Sequence, residues 1–180
     1  MEFKTRIVEV VDYDPQWPQL FLQLRSVIKN QLGDLALAIE HVGSTSIIGL
    51  AAKPIIDLDV MVASNELLTK VICLLAELGY KHEGDLGISG REAFSRSASD
   101  VPRNATGKIW PQHHLYVCPQ ESVALKRHLA FRNYLRNNPD EALAYAKLKC
   151  ELAQRFRYNV DLYCEAKTEF IENILEKALS

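Results

Sequence analysis

Apolar residues recur along this chain at two periods, and the alternation between them divides it into helices and strands. Trp17, Leu20, Phe21, Leu24, Ile28 and Leu32 return every three or four positions, which predicts an amphipathic helix. Asp14 and Pro15 supply a capping acceptor and a residue that needs no donor, Pro18 is tolerated in the first turn, and Gly33 ends the run. Trp17 and Phe21 are expected in the core. Ahead of this helix, residues 6–11 alternate enough for a first strand or an extended arm. Residues 38–46 read as a strand, a Gly-Ser turn and one turn of helix. Residues 53–62 form a second strand, and this one carries two carboxylates, Asp57 and Asp59. Leu67, Leu68, Val71, Leu74, Leu75 and Leu78 then predict a second helix, capped by Asn65 and closed by Gly79.

The order strand, turn, strand, helix indicates an α/β or α+β unit. Residues 80–96 hold short strand signals broken by Gly84, Gly87 and Gly90. Residues 97–107 are polar and read as a mobile loop, and residues 112–118 as a further strand between Pro111 and Pro119. From Glu121 the period becomes helical throughout. One helix covers 122–137, and a second opens on Asn138-Pro139-Asp140-Glu141, which is cap, proline and acids in order. A last helix carries Phe170, Ile171, Ile174 and Leu175. No internal repeat is visible. The expectation is a single domain over 1–180, with a core over about 1–119 and a helical hairpin plus final helix over about 120–180, packed on the sheet.

Composition narrows the function classes. A net charge of −2 gives no overall attraction to nucleic acid or an anionic membrane, so neither is expected as a partner without a local basic patch. Residues 1–6 lack the apolar run of a signal peptide, and the most apolar segment, 71–76, is broken by Glu77. Cys73, Cys118, Cys150 and Cys164 are scattered without a paired spacing, which suggests buried reduced thiols and a cytoplasmic protein.

The chemistry concentrates in one stretch. Asp57 and Asp59 are two apart in a strand, so both side chains point to one face while Ile56, Leu58 and Val60 take the other. Two such carboxylates repel unless a cation lies between them, and Mg²⁺ (or Mn²⁺) suits the pair because it completes its shell with water and phosphate oxygens. Gly43-Ser44 sits at the end of the preceding strand. Glycine permits the turn, amides at a helix start bind phosphate, Ser44 and Thr45 can add hydroxyls, and Lys53 can neutralise charge on the same group. Taken singly, each motif is equally well a solvated edge or a plain loop. Arg91, Arg96, Arg132 and Arg136 are further phosphate or carboxylate candidates, with a solvated face as the alternative for the helical pair. His41 is positioned to orient the turn; His82 and His128 read as structural.

The segments Glu40-His41-Val42-Gly43-Ser44-Thr45-Ser46 and Gly49-Leu50-Ala51-Ala52-Lys53-Pro54-Ile55-Ile56-Asp57 resemble the GrpB (UPF0157) family. The likeness continues in Gly90-Arg91-Glu92-Ala93-Phe94, His114-Leu115-Tyr116-Val117 and Leu129-Ala130-Phe131-Arg132-Asn133-Tyr134, and runs to Phe170-Ile171. That family looks like a branch of the nucleotidyltransferase superfamily, the fold shared with DNA polymerase beta. The resemblance therefore implies an α+β fold with a small mixed sheet of nucleotidyltransferase type. It also implies that Ser44 touches the β- and γ-phosphates and that Asp57 and Asp59 hold Mg²⁺. The superfamily usually adds a third carboxylate on a neighbouring strand, where it activates the attacking hydroxyl. The matching strand here offers His114 and Tyr116 instead. His114 is then a base, a ligand or a satisfied structural histidine. The expected function is Mg²⁺-dependent transfer of a nucleotidyl group from a nucleoside triphosphate to a small acceptor. The alternatives are a non-catalytic nucleotide- or coenzyme A-related binding module, since GrpB-like domains also occur fused to dephospho-CoA kinase, and a helical interaction protein with a vestigial pocket.

Overall fold

The computed structural model describes residues 7–180. Its elements follow the alternation of periods: helix α1 (Trp17–Leu32), strands β1 (Ala38–Val42) and β2 (Ile56–Val62), helix α2 (Leu68–Glu77), strands β3 (Tyr80–Gly84), β4 (Glu92–Arg96) and β5 (His113–Pro119), then helices α3 (Val123–Asn137), α4 (Pro139–Arg155), α5 (Val160–Glu165) and α6 (Thr168–Leu179). The five strands make one mixed sheet in the order β1-β2-β5-β4-β3. β2 runs antiparallel to β1 and parallel to β5. A parallel pair needs a long crossover, and here α2 and the β3–β4 hairpin supply it.

Alternation along the strands sorts side chains between two faces. Ile39, Ile56, Leu58, Val60, Leu115 and Val117 meet α1 and α2 in the main core, together with Trp17, Leu24, Ile28, Val71 and Leu75. Leu58 and Val60 are fully buried. The other face is covered by the C-terminal helices, which build smaller clusters. Ile47, Leu50, Leu135, Tyr145 and Ile174 form one, and Val8, Leu152, Ala153 and Tyr163 another.

Several local expectations change. Arg6 lies outside the described residues; of residues 7–11, only Val11 makes a bridge, to Ala52, so the segment is an arm rather than a strand. Helix α1 starts after the Asp14-Pro15 signal, with Pro18 in its first turn and the Asp14 carboxylate accepting from the Gln16 amide at 2.8 Å. Asn65 caps nothing: it opens a 3-10 turn whose preceding residue is Ser64. Asn138 holds the N-cap position of α4, ahead of Pro139, Asp140 and Glu141 as expected, but its side chain faces backwards and donates to Tyr134 O at 2.8 Å instead of capping. Asn159 does cap, accepting from the Leu162 amide at the start of the short α5, an element its sequence pattern had not separated. The polar segment 97–107 is pinned rather than free, because Val101 is fully buried and Trp110 Nε1 donates to Pro102 O at 2.8 Å. Among the described residues all four cysteines are free, but Cys73 and Cys164 are exposed, against the expectation of buried thiols.

Candidate functional site

Between the sheet and the C-terminal helices lies a cavity of about 510 Å³. Asp57 of β2 and His114 and Tyr116 of β5 line its floor, while Asp59 is fully buried and outside the lining. Register places Asp57 beside His114 and Asp59 beside Tyr116 on the parallel pair, with Glu40 opposite Asp59 on β1. Each carboxylate has an imidazole partner. His114 Nδ1 donates to Asp57 Oδ1 at 2.8 Å, and His128 Nδ1, reaching down from α3, donates to Asp59 Oδ2 at 2.7 Å. With Nδ1 as donor, a neutral imidazole carries its lone pair on Nε2, and neither Nε2 has a protein partner among the described residues. The Tyr116 ring lies between them, 6.2 Å from each. Burial pushes the Tyr116 hydroxyl up to about 12, with Asp57 adding to the effect, so it stays protonated.

Gly43 holds the Asp57 carboxylate in place by having no side chain. Its φ of 69° and ψ of −175° lie in a region that only glycine adopts readily. A Cβ there would meet Asp57 Oδ2 at 2.2 Å. Turn and carboxylate therefore fit one another. Ser44 follows at the cavity wall, half-buried, beside Lys53, Asp57 and Arg91.

Thr45 does not join them. It is buried, its hydroxyl donates to Ile55 O at 3.3 Å and accepts from His41 Nε2 at 3.0 Å, and it faces the core. The phosphate role read for Thr45 is therefore corrected to a structural one. His41 does orient the turn, stacked on Phe21 with centroids 4.7 Å apart. Burial lowers it to about 4, against the raising effect of Asp57, so it remains neutral. Arg132 is half-buried and Arg136 exposed, and both guanidinium groups are spent on contacts within the chain. Arg132 Nη1 donates to Glu40 Oε2 at 2.7 Å and to His41 O at 3.0 Å, while Arg136 donates twice to Ser46 O at 3.1 and 2.7 Å. The pair ties α3 to the turn. Arg96 is spent on the carbonyls of Trp110 and Pro111. Arg91 lies with its guanidinium 4.4 Å over the Tyr116 ring, and its Nε is buried without a partner.

The helical wall adds residues that sequence reasoning missed. His128 was read as structural, yet it completes the Asp59 pair across 69 positions of chain. Lys149 from α4, Lys167 at the start of α6 and Tyr163 from α5 also line the cavity. Lys149 is only 2% exposed and its Nζ donates to Ala51 O. Burial brings it down to about 7, helped by Lys167. An amphipathic helix carrying an unexplained lysine on its inward face was the available signal.

The site suits a divalent cation. Asp59 is fully buried and its Oδ1 has no hydrogen-bond partner, an open acceptor that a cation would satisfy. Among the described residues no three His, Cys, Asp or Glu side chains form a ready-made cluster. An ion held here would have to take its remaining ligands from water and substrate.

The comparisons with known proteins bear on fold and family. Cid1 poly(U) polymerase, in a mutant form bound to MgATP, superposes with a TM-score of 0.52 at 13% identity, over 83% of this chain and 46% of that one. The class defined is a nucleotidyltransferase-like fold. The chain itself belongs to the GrpB family, whose model, described as GrpB protein, matches residues 7–177. GrpB from Enterococcus faecalis superposes with a TM-score of 0.80 at 37% identity, over 95% of this chain and 97% of that one. The UPF0157 protein YqkA of Bacillus subtilis is 34% identical over 176 residues, covering 98% of this chain but 48% of YqkA, so the chain spans about half the length of that relative. No described helix is long and apolar enough to cross a membrane.

Proposed function

We propose that this cavity binds a nucleoside triphosphate and transfers its nucleotidyl group to a small acceptor. The observation that carries the reading is the adjacency on one face of β2 of Asp57, fitted against the Gly43-Ser44 turn, and Asp59, with its open buried oxygen. Ser44 and Lys53 would bind the phosphates, and Arg91, over Tyr116, would meet an anionic part of either substrate. Asp57 and Asp59 would hold Mg²⁺ or Mn²⁺, whose chemistry is to neutralise phosphate charge and stabilise the transition state. In the transfer, the acceptor hydroxyl oxygen bonds to the α-phosphorus, the α–β anhydride bond breaks, and pyrophosphate departs with the electron pair. The hydroxyl proton goes to an imidazole Nε2. His114, oriented through Nδ1 by Asp57, is the base on the strand where a third carboxylate would stand, and His128 is oriented in the same way by Asp59.

Incubation with labelled ATP, GTP, CTP and UTP, Mg²⁺ or Mn²⁺ and a metabolite pool tests this. Transfer that disappears in Asp57→Ala is expected; absence of transfer in both proteins would sink it. A second reading, nucleotide binding without catalysis, is favoured by one observation: β5 brings His114 and Tyr116, not a carboxylate, beside Asp57 and Asp59. Thermal-shift screening separates the two, since stabilisation by a nucleotide with no turnover supports binding alone.

A further inference from the structure

Three ammonium groups converge on the cavity wall formed by the C-terminal helices. Lys167 Nζ lies 4.3 Å from the Tyr163 ring centroid, and Lys53 Nζ lies 5.6 Å from the same ring. Lys149 Nζ lies 4.7 Å from the Tyr145 centroid and donates to Ala51 O, in the loop that also carries Lys53. Among the described residues no carboxylate pairs with any of the three. The ion pairs elsewhere use Lys81, Lys126, Lys177 and several arginines and histidines. This is an unusual arrangement. Buried charges are ordinarily paired, and contact with an aromatic face is worth only about 0.5–2 kcal/mol against a desolvation penalty of several. Lys149 and Lys167 are both shifted down, chiefly by burial; Lys167 adds to the lowering of Lys149, while for Lys167 the lowering effect of Lys53 is opposed by Cys164 and Asp57. The tyrosine rings hold the ammonium groups in place without neutralising them.

We infer that Lys53, Lys149 and Lys167 form a polyphosphate site that grips the terminal phosphates of the substrate under α4 and α6. The inference rests on the reading above for the identity of the cavity, and it assigns the far end of the ligand. Three point-charge donors on three separate elements match an anion with many oxygens spread along a chain, whereas a single carboxylate would meet only one or two of them. Lysine ammonium groups bind phosphate as point charges, so they demand no fixed fork geometry and accept a flexible tail. The arrangement also couples ligand to fold. Lys149 belongs to α4, Lys167 to the start of α6 and Lys53 to the strand connection, so one anion would draw helices and loop together over Asp57.

The test uses inorganic tripolyphosphate with EDTA present, so that no divalent cation contributes, and titration calorimetry on the full chain. Tripolyphosphate is expected to bind, and citrate, the polycarboxylate control, to bind far more weakly. Lys149→Met and Lys167→Met are each expected to weaken tripolyphosphate roughly ten- to a hundredfold, as loss of a charge-assisted contact does. Binding at about pH 8 should take up a proton, seen as a dependence of the heat on the buffer's ionisation enthalpy, and Lys149→Met should abolish that uptake. Lys167, half-buried at the rim, keeps the test decisive if the Lys149 variant folds poorly. Absence of tripolyphosphate binding, equal affinity for citrate, or unchanged affinity in both variants would overturn the proposal. Tripolyphosphate bound as expected while no labelled triphosphate is turned over would retain this site and reject transfer. Transfer with affinity indifferent to both lysines would do the reverse.

Discussion

The two faces of the central sheet obey opposite rules. Towards α1 and α2, the buried histidines are closed off. His41 donates to Thr45, and His113 donates to the Pro111 carbonyl at 3.0 Å while accepting the Tyr80 hydroxyl at 2.7 Å. Burial brings both imidazoles down to about 4. Towards α3–α6, strands, loops and facing helices together leave groups open among the described residues: Asp59 Oδ1, Arg91 Nε, two imidazole Nε2 atoms and three lysines without carboxylate partners. One residue step along β2 separates the regimes. A satisfied face stabilises the fold, and an unsatisfied one is kept for something not in the chain. Such a site lowers the stability of the empty protein, which is a common condition of functional surfaces.

Substitutions on either side of that step should sharpen the contrast. The largest effects come from neighbouring residues of β2. Leu58→Ala is expected to cost about 2–5 kcal/mol in denaturant unfolding, while Asp57→Asn costs under about 1 kcal/mol yet lowers transfer roughly a hundred- to a thousandfold. A large loss of stability in Asp57→Asn would contradict the division. Gly43→Ala should do both kinds of damage. About 1–3 kcal/mol follows from the backbone region alone, with further loss from displacing the Asp57 carboxylate, read as a drop in melting temperature and in activity together.

The core histidines set a pH dependence. Their folded-state values lie below the ordinary 6.5, so between about 4 and 6.5 the unfolded chain binds protons that the folded chain does not. Stability should therefore fall as pH drops through that window, by up to ~3 kcal/mol for each histidine, and His113→Asn should flatten the curve. Lys149 acts in the alkaline range. Its value is lowered from 10.5 to about 7, so stability of the empty protein should rise with pH across that interval, and Lys149→Met should remove the slope and raise the melting temperature near neutrality. The smallest effect is expected from Arg136→Met. It removes two hydrogen bonds to Ser46 O and should cost about 1–2 kcal/mol, with nucleotide affinity falling only as the turn loosens.

Much of this was legible in the linear chain because it is local. The period-two run around Asp57 and Asp59 fixes their common face whatever packs against it. Gly43 marks a backbone conformation other residues avoid, and the pattern of Trp17, Leu24 and Ile28 is that of a buried helical face. Fine assignments failed where two local uses compete. Asn138 stands at the N-cap of α4 but spends its side chain on the helix behind it, and Thr45, next to a phosphate-type serine, turns its hydroxyl to His41. Nothing within a few residues of either position distinguishes those outcomes.

By itself, then, the sequence determined the elements, an α/β or α+β class, the glycine turn and the paired carboxylates, since periodicity and backbone sterics act over a few residues. Tertiary structure alone decided what faces the carboxylates. His128 reaches Asp59 across 69 positions and Lys149 reaches Ala51 across 98. Helical periodicity says which residues share a face of α3 or α4, but not which strand that face will cover. Long-range packing makes that choice, and it turned a histidine read as structural and a lysine on an inward helical face into walls of the site.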